Sequence, residues 1–265
     1  MHNINYYMKR FKIIAGPCVV ESKELLEEVS ETLLSICSKF DVDFIFKSSY
    51  KKANRTSAGS FTGIGDDLAL SYLTEIRKKY NIPVLTDVHT DSEAEKAAGF
   101  VDILQIPAFL CRQTDLLIAA GKTGKTVNIK KGQFLAPDDM AKAAAKVEST
   151  GNKDIWLTER GTCFGYHDLV VDFRSILIMQ KTGYPVIYDA THSLQQPSVG
   201  IESGGYPEFI PALAYAAVAA GADGIFFETH PNPSKAKSDS ATQLPLSTTK
   251  KFIENIIRIN RLING

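Results

Sequence analysis

The chain has 265 residues, 44% of them hydrophobic and 23% charged, enough to bury a full core. Its 30 basic and 30 acidic residues give a formal net charge of +0, which argues against the broad basic field of a nucleic-acid binder and makes any cationic site a local one. It has no apolar run of membrane-spanning length, Met1 to Arg10 lack a secretory-signal pattern, and the four cysteines are scattered, so the expectation is a cytoplasmic protein with no membrane partner and no disulfide framework.

Along the chain, short runs rich in Val, Ile and Phe alternate with longer amphipathic stretches. Strands are expected at Phe11 to Val19, Phe44 to Ser49, Pro83 to His89, Ile103 to Phe109, Thr126 to Lys131, Ile155 to Gly161, Val186 to His192 and Gly224 to His230. Most are nearly continuous in apolar character, as strands buried on both faces should be. Helices are expected at Lys23 to Lys39 with Ser22 as N-cap, Asp66 to Tyr80, Ser92 to Ala98, Gln113 to Ala120, Pro137 to Thr150, Leu169 to Gln180, Pro207 to Ala220 and Thr248 to Ile263. Gly121, Gly151, Gly183 and Gly221 stand where helix C-termini need a residue tolerant of positive φ.

Eight consecutive strand-helix units are the content of a (β/α)8 TIM barrel spanning residues 1–265 as one domain, with 1–10 as a short extension. An open doubly wound sheet uses the same units. However, Gly16-Pro17-Cys18 is not followed by the rest of a dinucleotide fingerprint, so the closed barrel leads.

Polar residues gather at the C-terminal ends of these strands, where a barrel keeps its active site: Cys18 and Glu21, Lys47, Asp87 and His89, Gln105, Lys130 and Lys131, Glu159 and Arg160, Asp189 and His192, Glu228 and His230. Closure would make Cys18, His192 and Glu228 neighbours, with Asp239 in reach from the loop after the last strand. Such a set could hold a divalent metal ion; its mixed donors suit Zn2+, Fe2+ or Mn2+. The competing reading is a buried cysteine and a satisfied core histidine. Lys47, Lys130 and Arg160, expected across the mouth, imply an acidic ligand unless Glu159 or Asp87 pairs with them. Asp87 and His89, alternate on one strand, could move protons. The stretch Phe46 to Ser57 adds a run of cations and hydroxyls suited to an anion, although such runs are often only a solvated face.

The motifs Ile14-Ala15-Gly16-Pro17-Cys18, Phe46-Lys47-Ser48-Ser49, Lys52-Ala53-Asn54-Arg55-Thr56-Ser57, Gln105 through Asp115, Asn128-Ile129-Lys130-Lys131-Gly132-Gln133-Phe134, Thr158-Glu159-Arg160-Gly161, Asp189-Ala190-Thr191-His192-Ser193 and Glu228-Thr229-His230-Pro231 closely resemble the 3-deoxy-D-manno-octulosonate 8-phosphate synthase family. The resemblance implies a barrel that condenses phosphoenolpyruvate with D-arabinose 5-phosphate and water, releasing phosphate, for the lipopolysaccharide core. It further implies that Lys47, Gln105, Lys130, Arg160 and the Ala108 backbone hold phosphoenolpyruvate and that Lys52, Asn54, Arg55 and Thr56 hold the arabinose phosphate. Phe109 and Arg112 would come from a neighbouring subunit of a homotetramer. Cys18 in place of Asn marks the metal-dependent class, with Cys18, His192, Glu228 and Asp239 as ligands. Lys52, Asp87, His89 and His192 are the expected catalytic residues, Lys52 and His89 as candidates for protonating the aldehyde oxygen. Lys51 departs from the family pattern, which implies an acid there; it is expected to point to solvent. Alternatives are the related heptulosonate phosphate synthase, which would carry Lys-Pro-Arg at Lys52 to Arg55, sialic acid synthase, and a non-catalytic phosphosugar-binding barrel.

Overall fold

Strands that are apolar on both faces need cover on both, which a barrel supplies with an outer ring of helices and a filled interior. The computed structural model, which describes residues 10–53, 61–196 and 204–264, takes this form. Its barrel strands are β1 (Phe11–Gly16), β2 (Val42–Lys47), β3 (Val84–Asp87), β4 (Ile103–Ile106), β5 (Thr126–Lys130), β6 (Ile155–Glu159), β7 (Val186–Asp189) and β8 (Gly224–His230). They pair in parallel in sequence order, and β8 pairs with β1 in the register Lys12 to Gly224 and Gly16 to Glu228, which closes the barrel.

Eight α-helices follow among the described residues: α1 (Lys23–Cys37), α2 (Asp66–Tyr80), α3 (Asp91–Ala97), α4 (Thr114–Lys122), α5 (Met140–Glu148), α6 (Arg174–Gln180), α7 (Ile210–Ala219) and α8 (Thr249–Asn264). The Ser22 side chain caps α1 by accepting from the Leu25 N–H, as expected. Inside the barrel, Ile14, Ile45, Leu85, Ile103, Ile187 and Phe226 form a separate apolar plug, backed by Trp156. Burial of each such side chain contributes about 1.5–3 kcal/mol. This plug is the floor of the site.

Several boundaries differ from expectation for local reasons. The strands β1, β3, β4 and β7 end at Gly16, Asp87, Ile106 and Asp189, before the expected Val19, His89, Phe109 and His192. After β4 the cause is Pro107, which has no N–H to give the ladder and leads into the 3-10 turn Ala108–Leu110. Helix α6 begins at Arg174, not Leu169, because Leu169 and Val170 pair antiparallel with Thr162 and Cys163 in a small hairpin. Gly151, Gly183 and Gly221 have positive φ, but after α4 that conformation falls to Gly124, at +69°. Gly121 lies within the helix, where a Cβ would come within 2.6 Å of Thr150 Oγ1, so close packing explains that glycine.

Candidate active site

Side chains alternate across a strand, so parity decides which strand-end residues face the axis. Two residues beyond the apolar plug, the inward positions on β2, β3, β4, β7 and β8 become Lys47, Asp87, Gln105, Asp189 and Glu228, all buried. Neighbours separate by the same rule: Lys131 and Glu159 turn to the other face and pair at 3.5 Å, while Lys130 belongs to the interior, its Nζ 3.9 Å from the Phe226 ring centroid.

Closure puts Glu228 beside Gly16 and so close to Cys18. The Cys18 Sγ lies 3.0 Å from Asp239 Oδ2 and 3.1 Å from Ser238 Oγ, and ligand atoms of Cys18, Glu228 and Asp239 lie within 4.8 Å of one another. His192 adjoins this group through Glu228, with Nε2 3.6 Å from Oε1. Asp239 has a left-handed φ of +47°, an unfavourable conformation for a non-glycine residue that is common at functional sites. Burial, with Asp239 and Glu228 close by, pushes the Cys18 thiol well above its ordinary range. A divalent cation would reverse that balance and favour the thiolate. Among the described residues Glu228 Oε2 is buried without a hydrogen-bond partner. A thiol, two carboxylates, one with an open oxygen, and a nearby imidazole are a donor set that fits a divalent ion.

Cations crowd the same mouth. Lys47 Nζ lies 2.7 Å from Glu228 Oε1 and 3.8 Å from Asp87 Oδ2, and donates to the Cys18 carbonyl at 3.2 Å. Lys47 thus sits against the metal-type donors, not across the mouth from them. Lys52 is 3.7 Å from Asp239 and 3.9 Å from Glu228. Lys130 pairs with Asp189 at 2.6 Å, and Asp189 also meets His192 Nδ1 at 2.9 Å, a carboxylate-histidine contact that orients the ring. Arg160 Nη2 donates to the His192 carbonyl at 3.2 Å, whereas Arg160 Nη1 is buried with no partner among the described residues.

Burial alone would raise the Asp87 carboxyl, but Lys47, Lys52 and Lys130 outweigh it and hold it well below the usual range. Burial lowers Lys130 in spite of Asp189. Asp87 also starts a relay around the barrel. It accepts from Ser49 Oγ and Gln105 Nε2; Gln105 Oε1 accepts from Asn128 at 3.0 Å, and Asn128 Oδ1 accepts from Thr158 at 2.7 Å.

The other expected residues divide. Ala108 is buried, whereas Phe109 is 54% exposed and Arg112 is exposed ahead of α4. Asn54, Arg55 and Thr56 lie outside the described residues; on the described flanks, the Lys52 N–H donates to the Thr62 carbonyl at 2.8 Å. His89 follows β3, its Nδ1 2.9 Å from Glu93 Oε2. Lys51 does not point to solvent: its Nζ is 2.6 Å from Glu93 Oε1. Sequence reasoning assigned no role to Asp189, Asn128, Thr158 or Glu93. Asp189, Asn128 and Thr158 carried a signal, since all three fall on inward strand positions within the quoted motifs, while Glu93 on α3 carried none.

Residues 7–263 match the sequence profile of the DAHP synthetase I family. The chain is 53% identical over 247 residues to a protein of Granulibacter bethesdensis named 2-dehydro-3-deoxyphosphooctonate aldolase, covering 93% of this chain and 88% of that one. Proteins of the same name from Fusobacterium nucleatum and Syntrophotalea carbinolica are 50% and 51% identical over 258 and 254 residues, covering 97% and 96% of this chain and 93% and 92% of theirs.

Proposed function

We infer the activity on the premise that this chain belongs to the DAHP synthetase I family. Within it the chain is a 2-dehydro-3-deoxyphosphooctonate aldolase, as its relatives are named: it joins phosphoenolpyruvate, D-arabinose 5-phosphate and water into 3-deoxy-D-manno-octulosonate 8-phosphate and inorganic phosphate. The observation that carries the site assignment is a pair of open buried groups in one mouth, the anion donor Arg160 Nη1 and the cation acceptor Glu228 Oε2. A doubly anionic ligand and a divalent cation would complete both.

Lys47, Lys130 and Arg160, with Gln105 and the Ala108 backbone, bind the carboxylate and phosphate of phosphoenolpyruvate and stabilise the charge that grows as phosphate leaves. The new carbon-carbon bond forms between C3 of phosphoenolpyruvate and the aldehyde carbon, water adds its oxygen at C2, and the C2–O bond to phosphate breaks. Lys52 or His89 gives the aldehyde oxygen its proton, and Asp87, buried beside Lys47, takes part in the proton transfer. Asn54, Arg55 and Thr56 bind the phosphate of the sugar. Cys18, His192, Glu228 and Asp239 would hold Zn2+, Fe2+ or Mn2+, which when bound would supply Lewis-acid activation or a template for the attack at C2. A homotetramer in which Phe109 and Arg112 serve a neighbouring site would account for a phenylalanine that is 54% exposed.

The test is phosphate release from phosphoenolpyruvate with arabinose 5-phosphate, erythrose 4-phosphate or an unphosphorylated aldose, before and after chelation. Turnover with arabinose 5-phosphate that is lost on chelation and restored by a divalent ion is expected. Turnover with erythrose 4-phosphate alone would move the chain to the heptulosonate branch, and full activity after chelation would remove the ion.

A further inference from the structure

Glu93, on the first turn of α3, collects donors from three directions. Its Oε1 takes Lys51 Nζ at 2.6 Å, and its Oε2 takes the His89 backbone N–H at 2.9 Å and His89 Nδ1 at 2.9 Å. The buried Tyr50 lies near this carboxylate as well, which helps burial push its phenol up. Lys51 is braced from its other side by Asp66, at 3.7 Å. An acid at position 51, as the resemblance implies, would repel Glu93; the lysine instead fixes it.

We propose that Glu93, fixed by Lys51, is the positioning residue for His89 in this enzyme. Its carboxylate accepts Nδ1–H, which sets the ring's orientation and leaves Nε2 as the nitrogen that meets the aldehyde oxygen. The ring then has one tautomer when neutral and a defined Nε2–H donor when charged. The assignment rests on the reading of His89 as a proton donor to the sugar aldehyde. The Glu93 side chain also serves the start of α3, because its Oε2 accepts the His89 backbone N–H at 2.9 Å just ahead of the Thr90 N-cap. A purely capping role would show in stability and not in turnover.

Steady-state kinetics on the full-length metal-loaded enzyme separates these roles, with melting temperature and the 15N shifts of the His89 ring as companions. A general acid contributes about 10²–10⁴-fold, and misplacing one costs about 10–100-fold. Glu93→Ala is therefore expected to lower kcat about 10–100-fold with the KM for phosphoenolpyruvate within about twofold. Glu93→Gln should keep the melting temperature yet lower kcat, and Lys51→Met should lower kcat while Lys51→Arg restores it. In all three damaged variants, Glu93→Ala, Glu93→Gln and Lys51→Met, the His89 Nδ1 signal should lose its hydrogen-bonded shift. Wild-type kcat in Glu93→Gln and Lys51→Met, with His89→Ala impaired, overturns the proposal and spares the reading of His89. Wild-type kcat in His89→Ala overturns both.

Discussion

Lys47 and Glu228 lie 181 residues apart in sequence and 2.7 Å apart in space. Their contact spans the seam where β8 meets β1, so the closure that completes the barrel also assembles the site. It holds one oxygen of Glu228 and leaves the other open.

Breaking this pair should be costly. With both side chains only 1% exposed, Lys47→Met leaves a buried carboxylate without its closest cation, and a loss of about 3–5 kcal/mol is expected in urea unfolding. A loss below about 1 kcal/mol would mean that water or Lys52 replaces it.

Acid should destabilise the fold in a defined window. Burial would raise the carboxyls of Asp87 and Glu228, but Lys47 outweighs it, and both are held well below the usual range. Unfolding returns them to about 3.9 and 4.3. The unfolded chain then binds the extra protons, so the stabilisation is complete above those values and is lost as pH falls below them. The melting temperature should be level from about pH 8 to 5.5 and drop steeply below about pH 4.5. A flat profile down to pH ~3 would contradict the paired geometry.

Arg160→Lys tests the open guanidinium nitrogen. Lysine keeps the charge but loses the planar fork. A charged hydrogen bond is worth about 1.5–3 kcal/mol, so the KM for phosphoenolpyruvate should rise about 10–100-fold with little change in melting temperature. An unchanged KM would remove Arg160 from that pocket.

Gly16→Ala tests the β1–β2 approach. A Cβ there would stand 2.0 Å from the Lys47 carbonyl oxygen, a backbone atom that cannot swing aside. A loss of about 1–3 kcal/mol or more is expected on denaturation, together with reduced metal content, because Cys18 and Lys47 move with these strands. Wild-type stability would show that the two strands can part without harm.

Much of this was legible in the sequence. The strands announce themselves because they are buried on both faces, and the change from Ile14, Ile45 and Leu85 to Cys18, Lys47 and Asp87 along each of them marks the mouth. The hairpin at Leu169 and Val170 was hidden, since its pairing with Thr162 and Cys163 is a contact between segments that separately read as strand end and helix start. Gly121 also misled, because close packing and positive φ both select glycine.

By itself the sequence determined the order of strands and helices, the chemistry at the strand ends and the kinship carried by its motifs, because these follow from residue type and spacing. Only the tertiary structure decided who partners whom: Lys47 with Glu228, Lys130 with Asp189, Lys131 with Glu159, and Lys51 with Glu93. Charge pairing depends on distances of a few ångströms between distant segments. Those distances exist only once β8 has closed on β1 and α3 has packed beside the loop that leaves β2.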